Sequence, residues 1–185
     1  MLARKAAVQP GEIVLVHAVG SGVGVAALQI AKLFGGVVIG TASSDDKLAR
    51  ARDLGADFTV RSGDALVDEV KRITGKRGVD VVVEHTGADT WPQSILACAR
   101  GGRIVTCGAT SGWDARTDLR HVFFRQLQIL GSTMGPKGDL FTILDHVAAG
   151  RLRPVVDQVY PFAEAPDAHR RLEDRAQFGK IVLTP

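Results

Sequence analysis

Ile13-Val14-Leu15-Val16-His17-Ala18-Val19-Gly20-Ser21-Gly22-Val23-Gly24 decides how this chain is read. A run of apolar, mostly β-branched residues passes straight into three alternating glycines. A segment with helical spacing follows at once: Ala26, Ala27, Ile30 and Leu33 are its apolar positions, and it stops at Gly35-Gly36. Strand, glycine turn and helix in that order serve one purpose. Glycine permits a tight turn and lets backbone N–H groups approach a diphosphate. The helix start behind it offers unpaired N–H donors and a partial positive charge. The literal pattern is GxGxG, with Val25 in the sixth position of GxGxxG, and such a pattern alone is weak. The flanking strand and helix raise it to a dinucleotide-binding turn, with Gly20, Ser21, Gly22, Val23 and Gly24 as its candidate contacts.

Outward from that turn, strand-like and helix-like segments alternate. Val37 to Thr41 reads as a second strand. Ser43 with Asp46 three residues on reads as a capping pair opening a helix that ends at Gly55. Asp57 to Val60 is a third strand and Asp64 to Thr74 a third helix. Val79 to Glu84 is an almost all-valine strand, Trp91 to Ala99 a helix, and Ile104 to Cys107 a strand after Gly101-Gly102. Leu127 to Gly131 is a sixth strand and Leu140 to Ala149 a helix. Val155 to Tyr160 is extended, Ala163 to Leu172 helical, and Lys180 to Leu183 a last strand. Repeated β-α units predict a three-layer α/β Rossmann fold: a doubly wound, mostly parallel six-stranded sheet with helices on both faces. Such sheets bind ligands at the carboxyl ends of their strands, where strand order reverses.

Composition agrees with this and excludes other classes. The 185 residues suit one domain, residues 1–185, and 45% are hydrophobic but only 5% aromatic, as strands buried on both faces require. A net charge of +3 from 23 basic and 20 acidic residues is dispersed, so neither nucleic acid nor a membrane surface is an expected partner. The most apolar stretch, Val23 to Val38, is interrupted by Gln29, Lys32 and a glycine pair and does not span a bilayer. Cys98 and Cys107 form no CxxC pair, and His17, His85, His121, His146 and His169 do not cluster with them in sequence. No metal site is expected, and the location expected is cytoplasmic, with both thiols reduced.

The ribose position lies at the end of the second strand, roughly 20 residues past the glycines, where an acidic residue marks an NAD preference. Here the strand ends in Thr41-Ala42-Ser43-Ser44, with Lys47 and Arg50 on the next helix. Hydroxyl donors and a cation suit a 2′-phosphate, so NADP is favoured over NAD, although Asp45 and Asp46 are close enough to reach a ribose. A competing reading, the turn of an S-adenosylmethionine methyltransferase, expects an acidic residue before the glycines. His17 and Ala18 stand there instead.

Together these segments resemble the cofactor-binding domain of the medium-chain dehydrogenase/reductase superfamily, which includes zinc-type alcohol dehydrogenases and zinc-free quinone oxidoreductases. The residues carrying the resemblance are Pro10-Gly11-Glu12, Gly20 to Gly24, Gln29 to Lys32, Ser43 to Lys47, Leu54 to Asp57 and Gly78 to Val82. Gly101 to Val105 and Phe178 to Val182 complete it. The resemblance implies that Thr86 and Gly87, and Gly108, Ala109 and Thr110, face the nicotinamide half, and that Lys47 contacts the adenosine ribose or its phosphate. Ser21 departs from the glycine usual there.

The resemblance further implies hydride transfer between a nicotinamide and an alcohol/carbonyl or quinone/enone substrate. It also implies a GroES-like N-terminal domain that supplies the substrate pocket and any zinc. The chain begins inside the family pattern, so it is expected to be a fragment of a two-domain enzyme. It should bind the cofactor and turn over poorly alone, and it carries no catalytic residue of its own. Pairing of sixth strands through Leu127 to Gly131 implies a homodimer. The alternative is a non-catalytic dinucleotide-binding or redox-sensing module.

Overall fold

Strand periodicity decides which side chains face which layer, and Ile13–Val16 shows it plainly in the computed structural model, which describes Met1–Pro185. Strands β1 (Ile13–Val16), β2 (Val37–Ala42), β3 (Phe58–Arg61), β4 (Val79–Glu84), β5 (Cys98–Thr106) and β6 (Gln128–Gly131) form one sheet. Their order is β3-β2-β1-β4-β5-β6, with every neighbouring pair parallel. Val14 and Val16 of β1 join one apolar cluster with helices α1 (Gly22–Leu33) and α2 (Asp45–Asp53). Leu15, between them, joins the opposite cluster with α3 (Leu66–Ile73) and α4 (Trp91–Ala97). That is the period-2 alternation of a strand buried on both faces. The result is the three-layer, doubly wound fold expected, and strand order reverses between β1 and β4.

Several boundaries differ from the sequence reading. Ser44, not Ser43, caps α2, its hydroxyl accepting from the Lys47 amide at 3.4 Å. Strand β2 runs one residue further than Thr41, because Ala42 still pairs with Arg61, and this moves the cap along by one. Helix α4 ends at Ala97, and β5 begins at Cys98 instead of Ile104. Gly78 allows this: its φ is +89°, and a Cβ there would lie 2.6 Å from the Ala97 carbonyl oxygen and 2.7 Å from that of Cys98. Only glycine lets these backbones close up, and the register shift between Val79 and Val81 absorbs Gly101-Gly102. Lys180 does not extend the large sheet. Strand β8 (Lys180–Thr184) pairs in parallel with β7 (Val156–Pro161) as a separate ribbon.

Two helical segments carried no clear pattern in the sequence, a wide turn at Leu2–Ala6 and α5 (Leu119–Arg125). Helices α6 (Lys137–Ala148) and α7 (Ala165–Glu173) complete the chain.

Candidate dinucleotide-binding site

The turn after β1 sits at the point where strand order reverses. Ser21 is the N-cap of α1, its side-chain oxygen accepting from the Gly24 amide at 2.9 Å. The Val25 amide donates to the Ser21 carbonyl, which leaves the amides of Gly22 and Val23 without any partner in the protein. These are the orphan donors that a helix start presents to an anion. Gly24 sets how closely α1 approaches β1. A Cβ there would collide with the Ala18 carbonyl oxygen and lie 2.7 Å from the backbone of Val19. Ser21, the departure from the family pattern, serves as this cap without blocking the turn.

The chain's C-terminal end covers the turn. The Gly179 amide donates to the Gly20 carbonyl at 2.7 Å. Phe178 packs 2.9 Å from where a Gly20 Cβ would stand, and the Lys180 side chain lies 2.5 Å from where a Gly22 Cβ would stand. Asp157 anchors this cover. Its carboxylate, with a side chain only 2% exposed, accepts from Arg171 (2.7 Å), Arg50 (3.3 Å) and the Phe178 amide (3.0 Å). Burial alone would raise its pKa, but these donors and the two cations hold it below the usual carboxylate value. Arg50 also lies 4.5 Å over the Phe178 ring. Sequence reasoning gave Lys180 no role in the site, because the residue is remote from the turn along the chain.

The adenosine-side residues are split. Thr41 is buried, its hydroxyl unpartnered, and its carbonyl accepts from the Val19 amide at 2.8 Å, tying β2 to the turn. Ser43 is exposed, and Ser44 is spent on capping α2. Lys47 folds back over Gly20 and donates to the Arg175 carbonyl. Partial burial, chiefly, depresses its pKa, with Arg50 and Arg171 adding repulsion against the attraction of Asp157.

On the other side of the turn, the loops after β4 and β5 close on one another. The Ser111 amide and hydroxyl both donate to the Thr86 carbonyl, at 2.7 and 2.9 Å, and the Ala88 amide donates to the Gly112 carbonyl at 2.9 Å. Gly87 has φ +102°, and a Cβ there would lie 2.9 Å from Ala109 Cα. A Gly108 Cβ would lie 3.0 Å from the His85 carbonyl oxygen. Thr86, Gly87, Gly108 and Ala109 thus form one packed edge, and Thr110 reaches the Thr86 carbonyl weakly, at 3.4 Å.

Beneath both loops lies a buried polar cluster. Glu84, fully buried, accepts from the amides of Thr86 (2.7 Å) and Gly87 (3.1 Å) and from the hydroxyls of Thr90 (2.8 Å) and Ser94 (2.7 Å). Burial would raise its pKa, yet His17 and these donors keep it below the ordinary carboxylate value. His17 Nε2 lies 2.9 Å from Ser94 Oγ. Burial lowers the His17 pKa to about 4 against the pull of Glu84, so the ring is neutral at pH 7. His85 Nε2 donates to the His17 carbonyl at 2.9 Å and lies 3.4 Å from Ser21 Oγ. The outlier acid at the end of a valine strand was the one sequence signal for this cluster.

The sequence profile described as "Zinc-binding dehydrogenase" matches residues 22–149. The chain belongs to the zinc-binding dehydrogenase family. An NAD-dependent alcohol dehydrogenase of Sulfurisphaera tokodaii is 30% identical over 98% of this chain and 53% of its own length. A crystal structure of an NAD-dependent alcohol dehydrogenase superposes with TM-score 0.93 at 54% identity, over 97% of this chain and 53% of that one. A crotonyl-CoA carboxylase/reductase in complex with NADP superposes at 0.88 with 26% identity, over 95% of this chain and 50% of that one. The chain therefore spans about half the length of the relatives it matches. The named relatives are nicotinamide-dependent oxidoreductases, as the resemblance implied.

The family's name implies zinc, and the residues present do not fit one. No three His, Cys, Asp or Glu side chains come together as a ligand set. They do fit a dinucleotide: free amides at Gly22 and Val23, an approach cleared by glycines, and a lysine above. A concavity of about 610 Å³ lies elsewhere, beside Val8, Pro10 and Phe34 at the amino end of β1, and is lined mostly by apolar groups. No helix is long and apolar enough to cross a membrane.

Proposed function

We propose that this chain is the dinucleotide-holding domain of a medium-chain NAD(P)-dependent oxidoreductase with two domains. The observation that carries the reading is the pair of unpartnered amides at Gly22 and Val23, set at the reversal of strand order with Lys180 beside them. Bound there, the nicotinamide supplies the hydride donor or acceptor. The protein's own part is to bind and orient. The amides at the head of α1 and the Lys180 ammonium grip the diphosphate. Ser43 and Lys47 receive the adenosine ribose, with Thr41 and Ser44 shaping the end of β2 beneath them. Thr86, Gly87, Gly108, Ala109 and Thr110 form the ledge for the nicotinamide half. The substrate belongs to the alcohol/carbonyl or quinone/enone class of the relatives.

The finer reading favours NADP over NAD. No acid stands at the tip of β2, and the Lys47 side chain lies beside Gly20 of the turn. A homodimer through β6 is proposed on its place as an unpaired sheet edge with Ile129 exposed, because an uncharged edge of this kind pairs readily.

Calorimetry tests the binding. NADPH should bind more tightly than NADH, and Lys47→Ala should erase the difference while both still bind. NADH binding more tightly than NADPH would reject the NADP preference. Steady-state turnover by this chain alone should be near background, because nothing here walls in or polarises a substrate. Robust turnover would show that the site is complete. A monomeric mass in light scattering would reject the dimer.

A further inference from the structure

We infer that Glu84 is a positioning residue for the nicotinamide half of the cofactor, an inference that rests on the dinucleotide reading above. Four donors converge on one buried carboxylate. Two are the amides of Thr86 and Gly87, the residues of the ledge itself. The other two, the hydroxyls of Thr90 and Ser94, sit at and within α4. Within the protein, Glu84 is the acceptor of both amides. They lie past the last β4 residue, where the sheet no longer holds them. The Ser111 bonds to the Thr86 carbonyl hold the peptide plane that carries the Gly87 N–H from its other side, but no bond other than that to Glu84 holds the Thr86 N–H.

The same carboxylate reaches the phosphate turn in a chain of contacts. Ser94 joins Glu84 to His17, the residue that follows β1. The His17 carbonyl receives His85 Nε2, which lies against Ser21 in the turn. Hydrogen bonds to an ionised acceptor are about twice as strong as neutral ones, and in a buried site they are stronger still. An acid at this place therefore sets the ledge at a fixed position relative to the diphosphate grip. Gly87 shows how narrow the fit is: with φ +102°, it packs against Ala109 with no room for a side chain.

The test compares a ligand with and without the nicotinamide. Calorimetry on the wild-type chain, Glu84→Ala and Glu84→Gln measures NADPH against 2′-phospho-ADP-ribose, and NADH against ADP-ribose. The wild type should hold each complete dinucleotide more tightly than its truncated form. Glu84→Ala should cut that advantage about tenfold, and Glu84→Gln, which keeps one acceptor oxygen, about threefold. Both variants should bind the truncated ligands as the wild type does. If Glu84→Ala does not fold, by circular dichroism, Glu84→Gln decides. Equal losses on both ligands, or no loss on either, overturn the inference. So does a wild type that binds complete and truncated ligands equally. A wild type that binds none of the four instead overturns the dinucleotide reading on which the inference rests.

Discussion

Helices α1 and α6 are each 12 residues long and both carry apolar residues at helical spacing, yet they meet opposite fates. Helix α1 buries Val25, Ala27, Leu28 and Ala31 against β1 and β2. Helix α6 buries nothing: Leu140, Phe141 and Leu144 face outward, as do Phe123 and Phe124 on neighbouring α5. Amphipathic spacing specifies that a helix forms, but what it packs against depends on which surface lies across from it. Around β1 the opposing surface is this chain's own sheet. Around α6 and the outer face of α5 no surface of this chain lies opposite, and the apolar side chains stay exposed.

Substitutions should separate the two regions, beginning with the tightest contact. Gly24→Ala puts a methyl group into the backbone of Ala18 and Val19 and should cost at least about 3 kcal/mol, with cofactor binding lost. A melt within a degree of wild type would refute the close approach. Leu28→Ala, at a fully buried position, should cost about 3 kcal/mol in urea unfolding. Leu144→Ala, half exposed on α6, should stay within about 0.5 kcal/mol. Equal costs would show that α1 and α6 do not differ in what they contribute to the fold.

Acid should act on the β1 side. The His17 pKa falls from 6.5 in the unfolded chain to about 4 in the fold, so the unfolded state takes up the proton first as pH drops. Stability therefore declines from pH 6.5 to about 4, by about 3 kcal/mol in all. Glu84 adds to this at lower pH. Its folded pKa lies below the ordinary 4.5, so its contribution is present above that value and disappears as pH falls through the folded one. His17→Asn should flatten the decline between pH 6.5 and 4 in chemical unfolding, and an unchanged slope would show that another group is responsible.

The fold was legible because its signals are local. The strand-turn-helix of residues 13–33, the valine run of β4 and the glycine stops each act within a few residues. The glycine turn and the open head of α1 were legible for the same reason. What stayed hidden depends on distant parts of the chain meeting. Lys180 and Phe178 reach the turn only because Asp157 ties them down beside Arg50. Ser94 meets His17 only once α4 packs over the sheet. The early start of β5 depends on Gly78 facing Ala97 and Cys98, a contact that no periodicity records.

The central claim is that two bare amides at the head of α1 grip the diphosphate. Backbone NMR during titration with NADPH observes them directly. The account predicts that Gly22 and Val23 show the largest amide shifts, with Gly20 and Gly24 following and the α6 amides unmoved. Saturable binding that leaves Gly22 and Val23 in place, with the shifts elsewhere, would contradict it.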